Sequence, residues 1–263
     1  MRNWIKGIFR NAGRTLLRRS RCAVTVLFAA GALAQSALPG HAAADCPALP
    51  QNHVPKVPDE ELNIDKIKQL LLDYHQRYYD IDVAAVFDTA RAFIEQNATR
   101  WNKPALVLDI DETSLTNWPN LLADNFGFID AGACDALPNG PCGFTQWVMK
   151  GSARPIEPAL KLFEAAKAKN VAVIFITGRK DSVRDATILN LDHAGFEGWS
   201  ELRTRPNRDD VDTVEAYKSA ERTKVEAKGY TIIANVGDQL SDVRGEPTGK
   251  CVFKVPNPFY FIK

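Results

Sequence analysis

The sequence of 263 residues contains no C-x-x-C pair and no strongly apolar run of the ~20 residues that a membrane-spanning helix requires. The first absence excludes a zinc ribbon or a thioredoxin-like redox site. The second excludes a multi-span membrane protein. Basic surplus is missing from most of the chain. Residues 1–44 hold seven of the 33 Lys/Arg (Arg2, Lys6, Arg10, Arg14, Arg18, Arg19, Arg21) and none of the 32 Asp/Glu, which leaves the rest 26 basic against 32 acidic, a net charge of −6. Such an acidic body lacks the basic footprint that a binder of nucleic-acid polymers needs. Compositional bias is absent too. With 45% hydrophobic and 25% charged residues, the chain is neither collagen-like nor disordered, and its length suits one large α/β domain or two small ones.

What is present begins with an N-terminal address. A basic region is followed by an uncharged apolar stretch, residues 22–33, then by Pro39-Gly40 and by Ala42, Ala43 and Ala44. A basic, an apolar and an A-x-A element in this order predict a secretory signal on residues 1–44, cleaved after Ala44, with a single membrane anchor as the alternative. Asp45 before Cys46 does not fit a lipoprotein signal, and Ser20-Arg21-Cys22 after Arg18-Arg19 fits a twin-arginine signal poorly. Cleavage leaves four cysteines, an even number that suggests disulfides in an exported chain. Three pairings exist. Cys134 and Cys142 share one Gly/Pro-rich stretch and are the favoured pair, which would leave Cys46 with Cys251. Reduced, buried cysteines are the alternative.

Residues 45–58 are Pro-rich and read as a tether to a domain spanning 59–263. Leu62, Ile64, Ile67, Leu70, Leu71 and Tyr74, then Val83, Val86, Phe87, Ala90 and Ile94, recur at helical spacing and predict two helices. Buried strands are expected at 105–110, 171–176, 231–236 and 250–255, with a short one near 199–203. Helices are expected at 158–169, 181–194 and 212–228, the last stopped by Gly229. Residues 117–155 lack a clean period and read as an insert. Strands alternating with helices predict an α/β fold, a mostly parallel sheet with helices on both faces, whose ligand sits beyond the carboxyl ends of the strands.

Those ends carry chemistry. Asp109, Asp111, Glu112 and Thr113 follow the first strand, Thr177, Gly178 and Arg179 the second, and Gly237, Asp238 and Asp242 the fourth, while Lys218 lies in the helix before it. Oxygen ligands from separate strand ends suit a hard divalent cation such as Mg²⁺. Asp109, Asp238 and a backbone carbonyl of Ile110 or Asp111 would supply them. Thr177 and Lys218 would hold a phosphate. A carboxylate beside the cation can attack phosphorus, and a second one two residues on can act as general acid and then base. Each piece alone has an ordinary reading: a D-x-D pair as a solvated turn, Lys218 as a solvated helix residue.

Taken in order, the motifs resemble the haloacid dehalogenase (HAD) superfamily of aspartate-nucleophile phosphatases. The matching segments are LVLDIDET at 106–113, IFITGR at 174–179, Tyr217-Lys218-Ser219 with Arg222, and GDQLSD at 237–242. The ending KVPNPFY at 254–260 is similar to the close of its subfamily IIIB, which contains bacterial class C acid phosphatases and plant vegetative storage proteins. The resemblance covers about residue 60 to the C-terminus. It implies a HAD-like three-layer α/β/α core, with a small cap built from the N-terminal helices and the insert. It implies Asp109 as nucleophile and metal ligand, and Asp111 as acid/base and backbone-carbonyl ligand of Mg²⁺. Thr177, Gly178 and Lys218 would bind phosphate, Asp238 would ligate the metal, and Asp242 would hold metal waters or Lys218.

The insert contains Trp118, Phe126, Phe128, Phe144 and Trp147. These form either the apolar core of a minor subdomain or an aromatic clamp for a nucleobase or aryl group. By the resemblance, Phe144 and Tyr260 would flank the base. The expectation is a periplasmic or secreted, Mg²⁺-dependent acid phosphatase acting on small phosphomonoesters, nucleoside monophosphates among them, with no stable membrane anchor after cleavage. Exposed cap aromatics would suit a homodimer interface. For an acid optimum Asp111 must carry a proton, and nearby Asp109 is expected to raise its pKa. No histidine stands in R-H-G and no cysteine starts C-x₅-R, which excludes the histidine and cysteine phosphatase chemistries; His75 and His193 are expected to be structural. Two alternatives remain: a phosphotransferase on the same site, and a non-enzymatic storage or binding protein, which would lack Asp109 or Asp111.

Overall fold

The computed structural model describes residues 45–56, 63–208 and 211–262. The expected signal at 1–44 lies outside the described residues. Among them no helix is long and apolar enough to cross a membrane.

Five parallel strands form one sheet: β1 (Pro104–Leu108), β2 (Ala172–Lys180), β3 (Glu201–Arg205), β4 (Thr231–Gly237) and β5 (Cys251–Lys254). Their order is β3-β2-β1-β4-β5. The chain runs outward from β1 through β2 to β3, then crosses back to place β4 on the other side of β1. This switch between β1 and β4 opens the crevice where α/β sheets bind ligands. Because side chains alternate across a strand, each strand feeds two cores. Leu106, Leu108, Val173, Phe175, Ala234 and Val236 face one of them, packed with α2 (Asp80–Asn97) and α5 (Glu157–Ala168). Ala105, Val107, Ile174, Ile176 and Ile232 face the other, packed with Tyr217 and Val225 of α7 (Val214–Ala227).

Local signals explain the helix boundaries. The side chain of Asn63 caps α1 (Ile64–Tyr74) by accepting from the backbone N–H groups of Asp65 and Lys66. The hydroxyl of Thr213 caps α7 by accepting from Ala216 N, 3.1 Å. Gly229 follows α7 with φ +82°, the left-handed conformation that ends a helix. The expected helices at 158–169, 181–194 and 212–228 thus appear, the second as a short 3₁₀ turn leading into α6 (Arg184–His193).

Two features depart from the periodic reading. Between α1 and α2 the residues His75–Tyr79 form a π-helical turn. Its wider winding brings Tyr74 and Tyr79, five residues apart, to the same buried side. Strand β2 continues through Thr177, Gly178 and Arg179, with a register irregularity between Ile176 and Lys180. The motif expected after this strand therefore lies in its irregular end.

The insert holds α3 (Trp118–Ala123) and α4 (Phe144–Lys150). Cys134 is bonded to Cys142 within it, and Cys46 to Cys251. Residues 45–56 carry no helix or strand and are fastened by that second bridge and by His53, whose backbone N–H and Nδ1 both meet the buried Asp82 at 2.6 Å. Trp118 and Phe126 join Tyr74, His75 and Tyr79 around Phe259, and His75 lies flat on Trp118, 3.4 Å between centroids. Trp118 and Phe126 are partly buried and pack against the main core. Burial lowers the pKa of His75, as befits a histidine packed among aromatics.

Candidate active site

The carboxyl ends of β1 and β4, with α7, bring four of the expected residues into contact. Asp109 stands directly after β1, its backbone N–H donating to Val236 O of β4 at 3.0 Å. Lys218, the fifth residue of α7, donates from Nζ to Asp109 Oδ1 and to Asp242 Oδ1, both at 2.5 Å. One carboxylate oxygen from each of Asp109, Asp238 and Asp242 lies within 4.8 Å of the others, and all three residues are buried. Gly237 makes this approach feasible: a Cβ there would sit 2.2 Å from the Asp242 Cβ.

Three buried carboxylates against one ammonium leave unbalanced negative charge. Burial raises the pKa of Asp109, Lys218 pulls it back, and Asp242, Asp238 and Asp111 push it further up; the outcome is well above the usual carboxylate range. Asp238 is raised by burial and by Asp242, despite hydrogen bonds from Asn257, Gln239 and Thr113. Burial works against the charge of Lys218, but Asp109 and Asp242 outweigh it and hold the ammonium above the usual lysine range. An all-oxygen set with surplus negative charge fits a hard divalent cation, which would return these carboxyls to the ionised form.

Asp111 occupies the turn beyond Asp109. Arg179 donates to it from Nη2 (2.8 Å to Oδ1) and from Nε (3.1 and 3.2 Å to the two oxygens). Asn117 Nδ2 adds a bond to Oδ1 at 2.9 Å. Burial disfavours the ionised form, yet Arg179 first, then Asn117 and Lys218, outweigh it and place the carboxyl below the usual range. The expectation that Asp109 raises this group is thus corrected: the guanidinium hydrogen-bonded to Asp111 leads the groups that lower it.

Thr177 is fully buried, and its Oγ1 accepts from Arg179 N at 3.1 Å. Gly178 approaches the start of α7, where a Cβ would meet Val214 Cγ1 at 3.7 Å. The sheet thus gathers Asp109, Asp111, Thr177, Gly178, Lys218, Asp238 and Asp242 along one edge.

A family model for the HAD superfamily, subfamily IIIB (Acid phosphatase), matches residues 51–263. The chain belongs to this family. It is 31% identical to acid phosphatase 1 of Solanum lycopersicum over 196 residues, 72% of this chain and 74% of that one. It is 30% identical to vegetative storage protein 1 of Arabidopsis thaliana over 157 residues, 59% of this chain and 54% of that protein. Among solved structures it resembles the class C acid phosphatase from Bacillus anthracis, with TM-score 0.57, 20% identity, and coverage of 75% of this chain and 86% of that one. A second structure of that enzyme holds tungstate, with TM-score 0.56 and 21% identity. At that identity the likeness concerns the fold, and it agrees with the parallel α/β core.

Within this subfamily IIIB chain, several supporting residues carry no signal beyond motif membership. In the sequence Arg179 and Arg222 are motif members to which no separate task is assigned. Arg222 is almost fully buried and donates to the backbone carbonyls of Asp242 (2.7 Å), Gly245 (2.7 Å), Pro247 (2.5 Å) and Arg244, which ties the fourth motif to α7. Asp238 is oriented by Thr113 Oγ1 (2.9 Å), Gln239 Nε2 (2.7 Å) and Asn257 Nδ2 (2.6 Å). Glu112 has φ +52° and is fully buried; burial, and then the charge of Asp238, lift its pKa to about 8 against the bonds it accepts. It accepts from the Tyr79 hydroxyl at 3.0 Å and from Asn117 N.

Tyr260 lies beside the cluster: burial and then the charges of Asp238, Glu112, Asp111 and Asp109 push its hydroxyl well above the usual tyrosine range. Phe144 opens α4 and packs on Phe128, 5.8 Å between centroids. Among the described residues no ring pair joins Phe144 to Tyr260.

Proposed function

We propose that this chain is an exported, Mg²⁺-dependent acid phosphatase that hydrolyses small phosphomonoesters through an aspartyl-phosphate on Asp109. The observation that carries the reading is the meeting of Asp109, Asp238, Asp242 and Lys218 at the β1/β4 switch point, with Asp111 gripped by Arg179 two residues beyond Asp109.

The donor set fits the cation. Asp109, Asp238 and the backbone carbonyl of Asp111 would hold it, and when bound it would neutralise charge on the phosphoryl oxygens. Lys218, the Thr177 hydroxyl and the Gly178 backbone N–H bind and orient those oxygens, and Asp242 keeps Lys218 in place. In the first step an Asp109 oxygen forms a bond to phosphorus as the bond to the leaving oxygen breaks, and Asp111 gives that oxygen its proton. In the second step Asp111 takes a proton from water. The water oxygen then bonds to phosphorus, and Asp109 is released. The substrate's dianion next to Asp111 opposes Arg179 and restores the acid form that the first step needs.

Nucleoside monophosphates are the proposed preferred class, with Tyr260 supplying a face for the base and Phe144 as its partner. Transfer to an alcohol in place of water uses the same groups and is separated from hydrolysis by product analysis with added nucleoside. Retention of both Asp109 and Asp111 favours the enzyme over the storage reading suggested by the vegetative storage relatives. Export is supported by the two disulfides and by the sequence of residues 1–44.

The test is hydrolysis of p-nitrophenyl phosphate and adenosine monophosphate by residues 45–263 from pH 4 to 9. Activity that is strongest at acid pH, lost in EDTA and restored by Mg²⁺ is expected. A folded, Mg²⁺-loaded protein with no activity would turn the reading towards storage.

A further inference from the structure

Asn117 sits where the turn after β1 enters α3 and is 2% exposed. None of its polar groups is idle. Its backbone N–H donates to the Glu112 carboxylate, its Nδ2 donates to Asp111 Oδ1 at 2.9 Å, and its Oδ1 accepts from Trp147 Nε1 at 2.7 Å. An amide can face either way round, but an indole nitrogen is only a donor. Trp147 therefore fixes the oxygen of Asn117 toward the insert and the NH₂ toward Asp111.

The consequence falls on Asp111. Its Oδ1 accepts from Asn117 Nδ2, Arg179 Nη2 and Arg179 Nε, whereas Oδ2 takes one bond, from Arg179 Nε at 3.2 Å. The crowded oxygen is anchored, and the other is left to exchange a proton with a substrate. Trp147 is itself buried in α4 of the insert, so the chain of bonds runs from the insert through one amide to the carboxyl.

We propose that Asn117 is a positioning residue that locks the Asp111 carboxyl by its Oδ1, leaving Oδ2 to serve the leaving group, and that the Trp147 indole sets the amide for that task. This rests on the reading of Asp111 as the acid. A flipped amide would present its oxygen to a carboxylate, so loss of the indole N–H weakens the lock even where an aromatic ring remains.

Leaving-group dependence tests it. An aryl phosphate such as p-nitrophenyl phosphate expels its leaving group with little protonation, while an alkyl phosphate such as 2-glycerophosphate needs the proton. kcat/KM is measured for both with the Mg²⁺-loaded wild type, Asn117→Ala, Trp147→Phe and Asp111→Asn. The expected result is that the aryl-to-alkyl ratio rises about tenfold or more in Asn117→Ala, rises by a smaller factor in Trp147→Phe, and rises most in Asp111→Asn. A loss of packing alone lowers both substrates together and leaves the ratio where it was. A ratio that rises in Asp111→Asn but in neither of the other variants overturns the proposal. A ratio unmoved in Asp111→Asn overturns the acid reading, and the proposal with it. Should Asn117→Ala fail to fold, Trp147→Phe, which keeps an aromatic ring but no N–H donor, decides alone.

Discussion

Arg179 grips Asp111 through both Nε and Nη2, and this pairing sets the proton affinity of the proposed acid more than any neighbouring carboxylate does. A carboxyl whose pKa is lowered in the folded protein is protonated only at low pH, so the acid step weakens as pH rises. Replacing Arg179 with Met removes the guanidinium and leaves burial to act, which raises the Asp111 pKa. The alkaline limb of kcat/KM then moves to higher pH in Arg179→Met, by about one unit or more, with a lower maximum because the carboxyl loses its anchor. A pH–rate profile reads this directly; an unmoved limb would mean that Asp111 is not the group titrating. The same sign governs stability: the Asp111–Arg179 pair stabilises the fold above the unfolded carboxyl pKa and loses that effect as pH falls through the lower folded value. At this scale the grouping was legible where carboxylates follow buried strands, as for Asp109, Asp111 and Asp238, whereas Lys218, inside α7, was legible only through its motif. It was not legible for Asn117 or Glu112, whose partners lie in the insert and in the N-terminal helices, contacts that local spacing does not encode.

The turn at His75–Tyr79 connects helix geometry to the site. In an α-helix Tyr74 and Tyr79 would diverge around the axis, whereas the π-helical winding buries both, Tyr74 bonded to Asp82 and Tyr79 to Glu112. Periodicity found the two flanking helices but not this join, because its 3.6-residue template has no place for a wider turn. The irregular end of β2 escaped for a related reason: Thr177–Arg179 read as the turn after a strand, but pairing with β3 resumes at Lys180. The disulfides were legible in outline. Cys251 enters β5 at its first residue, the end of the strand away from the carboxylate cluster, and its bridge closes a separation of 205 residues. Its loss in Cys46→Ser/Cys251→Ser should therefore destabilise by about 2–5 kcal/mol in thermal or urea unfolding. The same variant should keep kcat/KM within about twofold well below its Tm. A large activity loss in the folded variant would mean that residues 45–56 take part in the site.

On the scale of the whole molecule, the sheet order places β1 beside β4, the two strands that end in Asp109 and Asp238, so folding concentrates three carboxylates with one lysine. A cation bound there stabilises the fold by mass action, about 2.7 kcal/mol at a hundredfold excess over Kd. Mg²⁺ should raise the Tm of the EDTA-stripped protein, and Asp238→Asn should abolish most of that rise. Equal rises in the two proteins would place the cation elsewhere. The parallel architecture was legible because buried strands of continuous apolar residues alternate with amphipathic helices.

The central claim is that Asp109 becomes covalently phosphorylated. Mixing the Mg²⁺-loaded enzyme with p-nitrophenyl phosphate and quenching with borohydride, which reduces an acyl phosphate to an alcohol, converts the nucleophilic carboxyl into a stable mark. Peptide mass spectrometry should find that mark at Asp109 in the wild type, dependent on substrate, and no mark at that position in Asp109→Asn. A substrate-dependent mark on another residue, or an active enzyme that never acquires one, would contradict the account.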